Sequence, residues 1–186
     1  MLRRVLFALM LVMSLPATAQ QPNMAVFAAA EAQKNDFIST LQEVVEIESG
    51  SGNYEGLVTL GNLIAGRLRE MGGEVELLDA NQDVYRMFDT PEQIGPMVHA
   101  RFEGRGERDI MLIAHMDTVY PAGMIDDQPF RIDGNLAYGL GISDDKQGVA
   151  VILHVIAMLR DMGFDEYGTL TVLINGDEEI SSPGSR

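Results

Sequence analysis

Cysteine is absent from all 186 residues. That excludes a disulfide framework and a thiolate metal site, so any metal here must be held by histidine and carboxylates, a donor set more typical of catalytic than of structural zinc. Positive charge is scarce. Lysine and arginine number 13 against 28 aspartates and glutamates, for a formal net charge of −15. Such a surface repels nucleic acid and anionic membranes, which removes both as expected partners. No G-x-S-x-G and no phosphate-binding loop occurs. The glycines at Gly50, Gly52 and Gly56 lack dinucleotide spacing and follow a helical pattern rather than a strand. Internal repeats and low-complexity tracts are also missing. The length suits one domain with a real core and hardly two.

Residues 1–19 read as a secretory signal peptide. Arg3 and Arg4 supply the basic start, residues 5–16 the apolar stretch, and Ala17-Thr18-Ala19 an A-x-A cleavage site. The apolar stretch is too short to span a bilayer comfortably, so an uncleaved anchor is the lesser reading. Cleavage removes two positive charges and takes the net charge from −15 to −17. A periplasmic or secreted protein, off the membrane after cleavage, is expected.

The mature part, 20–186, alternates helical and strand patterns. Helices are predicted over 24–48, with Phe37, Leu41 and Val44 as its apolar stripe, and over 54–71, with Leu57, Leu60, Ile64, Leu68 and Met71 on one face. Gly72-Gly73 stops the second. Residues 74–79 read as a half-buried strand. Residues 97–103 and 109–114 read as two strands joined as a hairpin by Gly104-Arg105-Gly106-Glu107. Asp133-Gly134-Asn135 signals a second hairpin. A helix over 146–162 buries Val149, Ile152, Leu153, Ile156 and Leu159, and 169–174 is a β-branched strand. The expected fold class is α/β, a mixed sheet flanked by helices. His99 and His154 fall on apolar elements and read as structural.

Three stretches carry the chemistry: IMLIAHMDTVYPAG, AYGLGISDDKQG and Asn175-Gly176-Asp177-Glu178-Glu179. Each follows a strand or a glycine-loosened loop, and strand ends in an open α/β sheet converge on one rim where ligands bind. His115 and Asp117, two apart, lie on one side of a strand end, where a carboxylate can fix the tautomer of a metal-binding imidazole. A lone histidine after an apolar run is more often a packed residue than a ligand. Asp144 and Asp145 sit where a helix begins, and one of them can be only a cap. Two adjacent aspartates among Gly139, Gly141 and Gly148 exceed what a cap needs, and a shared cation would offset their repulsion. The Asp177–Glu179 triplet by itself reads as a solvated acidic turn. With a metal present, one glutamate can ligate while its neighbour takes a proton from water.

Together the three stretches, with IESGSGNYEGL, resemble the co-catalytic zinc metallopeptidases that include aminoacylases, dipeptidases, succinyl-diaminopimelate desuccinylase and, nearest in pattern, periplasmic glutamate carboxypeptidases. The resemblance runs from about residue 37 to 186. It implies a zinc-exopeptidase-like catalytic domain with two zinc ions. In that reading His115 ligates one zinc, Asp117 orients His115, Asp144 bridges the pair, Glu178 is the general base and Glu179 ligates the other zinc. Metal-bound water would attack the amide of a small peptide or N-acyl amino acid and release a C-terminal glutamate. Gln147 stands where close relatives have glycine. Such proteins are much longer, with further ligands and a smaller dimerisation domain. The chain is therefore expected to be the N-terminal part of a catalytic domain, to leave each zinc about two protein ligands, to be inactive alone, and to form a homodimer only at full length. An aminoacylase or dipeptidase on the same scaffold, or a non-catalytic metal- or peptide-binding module, are the alternatives.

Overall fold

Alternating apolar residues on the central strands bury one face of a mixed sheet against helices. In the computed structural model, which describes residues 23–82 and 84–186, four helices and six strands follow in chain order. They are α1 (Met24–Ala32), α2 (Lys34–Glu46), α3 (Tyr54–Glu70), β1 (Glu74–Leu78), β2 (Met97–Glu103), β3 (Ile110–His115), β4 (Arg131–Asp133), β5 (Leu136–Tyr138), α4 (Gln147–Asp161) and β6 (Thr169–Asn175). The expected signal peptide lies outside the described residues. Among these residues no helix is long and apolar enough to cross a membrane.

The main sheet has the order β1-β2-β6-β3. β1 and β6 both run antiparallel to β2, whereas β3 runs parallel to β6. The buried face presents Val98, Ala100 and Phe102 of β2 and Leu170, Val172 and Ile174 of β6. Against it pack Leu57, Leu60, Ile64 and Leu68 of α3 and Val149, Ile152, Leu153 and Ile156 of α4. The predicted faces of these two helices are therefore the observed ones. α2 adds Leu41, Val44 and Val45. The mixed α/β sheet flanked by helices is as expected.

Two local expectations change. The helix predicted over 24–48 is two helices, interrupted at Gln33, whose amide closes on Ala29 and Ala30. The apolar stripe begins only at Phe37, and α1 buries no residue, so nothing in packing forces the two segments into one rod. β2 and β3 are not a hairpin, because β6 lies between them. The linking segment wraps the entry of β6 instead: Gly104 N donates to Gly168 O, Gly106 N to Tyr167 O and Gly168 N to Arg108 O, each at 2.8 Å. A side chain at Gly104 would meet Tyr167 O, so the two glycines let the backbones approach. The edges of the sheet are β1 and β3. The second hairpin forms as predicted, with Asp133 opposite Leu136 and Gly134 at φ +59°.

β3 thus exposes Met111 and Ile113 on the face away from the helices. Sequence pattern alone does not distinguish Ile113 from the buried strand residues, but the fold does. Leu60→Ala is predicted to lower the unfolding free energy by about 2–5 kcal/mol. Ile113→Ala is predicted to change it by no more than about 0.5 kcal/mol. Urea denaturation of the two variants checks this, and equal losses would contradict the burial assignment.

Candidate metal centre

Parallel pairing of β3 and β6 brings two strand ends to the same rim. His115 pairs with Asn175, and Met116 N still donates to Asn175 O at 2.8 Å. The chain leaving β3 delivers Asp117, and the chain leaving β6 delivers Glu178 and Glu179 in a single tight turn, Glu178–Ile180. Asp117 is fully buried. Its Oδ1 accepts from Glu178 N and its Oδ2 from Glu179 N, both at 3.0 Å, and Ser51 Oγ donates to Oδ2 at 2.7 Å. His115 Nδ1 lies 3.2 Å from Asp117 O and 3.3 Å from Asp117 Oδ1. Asp117 therefore touches both strand-end segments at once.

Asp144 arrives from the third segment. Between β5 and α4 the chain makes a kinked turn, Ile142–Lys146, in which Asp144 and Asp145 have non-helical backbone angles and are joined by a cis peptide bond. Gly141 at φ +68° begins the turn, and a side chain there would strike Thr118 Cγ2. Lys146 closes it. Its side chain is buried, and Nζ donates to Ile47 O at 2.5 Å. Burial pushes the Lys146 ammonium down to about 8, against the opposing pull of Glu48. The Asp145 carboxylate lies against Gly148 at the start of α4, leaving Asp144 as the member of the pair that reaches the site. Neither aspartate caps α4 through its side chain: the helix begins after Lys146 with no side-chain cap bond.

His115 Nε2 is 3.0 Å from Asp144 Oδ1 and 4.0 Å from Glu178 Oε2. One ligand atom each from His115, Asp144 and Glu179 falls within 4.8 Å of the others. An imidazole and two carboxylates at this spacing suit a divalent zinc ion. The charge balance agrees with that fit. Burial, then the nearby Asp144, raises the Glu179 carboxyl above its ordinary range, which a cation would reverse. The surrounding carboxylates, Asp117 first and then Asp144, pull the His115 imidazole up to about 9 against its burial. The sequence-predicted site residues His115, Asp117, Asp144, Glu178 and Glu179 are thus brought together, each from the element expected to carry it.

Other groups were not legible as site components. Asp177 is no solvated turn residue: it is fully buried and accepts from Gly184 N (2.7 Å), Ser185 N (3.1 Å) and Ser185 Oγ (2.5 Å), pinning the chain beyond the glutamates. Glu48 accepts from the amides of Gly123 and Ile125, which hold its carboxyl below the usual range. It thereby fixes the loop beside the site. His154, as expected, is structural, bonded to Gln33 and Thr40. Two clefts flank Glu179. One, of about 570 Å³, is walled by Ser51, Asn53, Val119, Tyr120, Pro121 and Ile180; the other runs past Gly141 and Asp144.

Residues 111–186 match the sequence profile of Peptidase family M20/M25/M40. The chain is similar to Carboxypeptidase G2 of Pseudomonas sp. (strain RS-16), 40% identical over 170 residues that cover 91% of this chain and 39% of that one. It is also similar to succinyl-diaminopimelate desuccinylase of Gluconobacter oxydans, 34% identical over 119 residues, covering 63% of this chain and 29% of that protein. In fold it resembles the crystal structure of human carnosine dipeptidase 1, with a TM-score of 0.73 at 22% identity, covering 87% of this chain and 36% of that one. The chain thus spans about two fifths or less of the length of these relatives.

A pH prediction follows from His115. Its folded value, about 9, lies above the unfolded 6.5, so the metal-free fold binds a proton there that the unfolded chain releases. This contribution to stability is complete below about pH 6.5 and is lost as pH rises through about 9. Lys146 acts with opposite sign, but only above about pH 8. Denaturation at pH 6.5–8 should therefore show stability falling with pH in the metal-free chain, with a flatter profile in His115→Gln. Identical slopes in the two proteins would contradict the assignment.

Proposed function

We propose an activity on one premise, that over residues 111–186 this chain belongs to Peptidase family M20/M25/M40: the whole protein is a zinc-dependent metallopeptidase acting as a carboxypeptidase that releases a C-terminal glutamate. The observation that carries the reading is the placement of Glu178. Its carboxylate is half exposed, faces His115 Nε2 at 4.0 Å, and stands beside the His115, Asp144 and Glu179 trio without belonging to it. A module that only held a metal would have no use for a further carboxylate pinned there by its own backbone amide.

In this proposal His115, Asp144 and Glu179 would hold the metal. Zinc, when bound, supplies a Lewis acid that polarises the substrate amide and acidifies water. Asp117 orients the His115 ring by facing Nδ1. Glu178 takes a proton from the attacking water and returns it to the departing amine nitrogen. The same carboxylate does both because the turn at Glu178–Ile180 is anchored on Asp117 and cannot drift away from the rim.

The substrate is a small peptide or N-acyl amino acid. The clefts beside Glu179 are walled by Val119, Tyr120, Pro121, Ala122 and Ile180, and among the described residues no lysine or arginine lines them. They suit the uncharged acyl side of the amide. The glutamate preference follows the resemblance of the three motif stretches to periplasmic glutamate carboxypeptidases. Export to the periplasm or medium follows the signal-like residues 1–19. An aminoacylase or dipeptidase activity on the same scaffold is the second reading, favoured by the similarity to the desuccinylase and to the dipeptidase fold.

Zinc-loaded protein incubated with N-acyl-glutamate and matched N-acyl-alanine and dipeptide substrates tests the proposal. Free glutamate should be released preferentially. Glu178→Ala should bind zinc normally and lose about 10²–10⁴-fold in turnover. Preference for the dipeptides would support the second reading, and zinc binding by the whole protein without any turnover would contradict the enzymatic reading.

A further inference from the structure

The Gly50-Ser51-Gly52 stretch, which follows a helical pattern in sequence, lies against the metal centre. Residues 49–51 form a strap beside the chain leaving β3. Thr118 N donates to Ser49 O and Ser51 N to Thr118 O, both at 3.0 Å, and Ser49 Oγ donates to Met116 O at 2.7 Å. A side chain at position 50 would collide with Tyr120 O, so the glycine sets how closely the strap approaches. This places the Ser51 hydroxyl, on a residue only 6% exposed, 2.7 Å from Asp117 Oδ2. The alternative acceptor, Thr118 O, is at 3.4 Å. A hydroxyl has one proton to give, and the nearer carboxylate takes it.

We propose that Ser51 is a positioning residue of the metal centre: its hydroxyl fixes the plane of the Asp117 carboxylate and, through it, the ring of His115. The inference rests on the reading of His115 as a metal ligand. Asp117 Oδ1 serves Glu178 N and His115 Nδ1, whereas Oδ2 serves Glu179 N and Ser51 Oγ. The two backbone amides are held by the tight turn and cannot adjust. Ser51 supplies the one donor that balances Oδ2 against the two on Oδ1. Without it Oδ2 keeps only Glu179 N, the buried carboxylate rotates towards its remaining donors, and the tilt of the His115 ring that faces Oδ1 shifts with it. Partners one step beyond a ligand act on metal affinity in this way. Backbone bonds of the strap do not use the hydroxyl, so its removal leaves the strap paired.

The test titrates Co²⁺ into the chain, S51A and S51T, following the visible absorption band, and records the His115 ring N–H proton resonance of each protein without metal. S51A should bind Co²⁺ about tenfold more weakly, with an altered band. S51T, which keeps the hydroxyl, should restore both. The ring N–H resonance should move in S51A and return in S51T. A folded S51A with unchanged affinity, band and resonance would overturn the proposal. Equal losses in S51A and S51T would overturn it too, by assigning the effect to packing of the strap. If the wild-type chain takes up no Co²⁺, the metal reading itself fails, and the metal-free resonance still decides whether Ser51 orients His115.

Discussion

A carboxylate with no exposure to water must find donors, or its burial costs several kcal/mol. Asp117 meets that constraint with four partners from three places in the chain: Ser51, His115, and the adjacent Glu178 and Glu179. None of the four can be withdrawn without leaving a buried acceptor short. The carboxylate is therefore the point at which the strap before α3, the end of β3 and the end of β6 are tied together. Its role is prior to any metal, since every one of these contacts exists within the polypeptide.

From that point the rest of the site is determined by topology. β3 and β6 are parallel neighbours, so their C-terminal ends share a rim. α4, which connects them across the sheet face, starts at the same rim and contributes Asp144 through a turn locked by Gly141 and the buried Lys146. Asp177 repeats the device of Asp117 on a smaller scale, holding residues 184 and 185 behind the glutamates. A site of three ligand atoms within 4.8 Å is thus supported by buried polar hubs rather than by apolar packing alone. Positions fixed in this way suit a reaction in which a base must stay at a set distance from a bound ion.

Much of this was legible in the sequence because the signals were local. Period-3.6 stripes in α3 and α4 marked faces that are indeed buried, and the strand ends carrying His115 and Glu178-Glu179 were visible as apolar runs followed by acidic residues. The errors arose where non-local pairing decides. Residues 97–114 look like a hairpin, but nothing near them in sequence reveals that β6, some 60 residues later, inserts between the strands. The continuous helix over 24–48 failed because helical propensity without an apolar face does not fix a direction past Gln33. Asp177 and Ser51 were passed over for a related reason. A buried polar residue and a solvated one have the same identity, and only the partners, Ser185 and Asp117 in these two cases, tell them apart.

The claim that Asp117 organises the site is tested most directly by amide hydrogen exchange at Glu178 and Glu179 in the unmodified, metal-free chain. Both residues lie in a short surface turn whose side chains are partly exposed, so their amides would exchange quickly if the turn stood alone. The account predicts slow exchange at both, comparable with the amide of Ile174 in β6, because each donates to the buried Asp117 carboxylate. Exchange at the rate of an open loop would contradict it and would leave the approach of the glutamates to His115 without a physical cause.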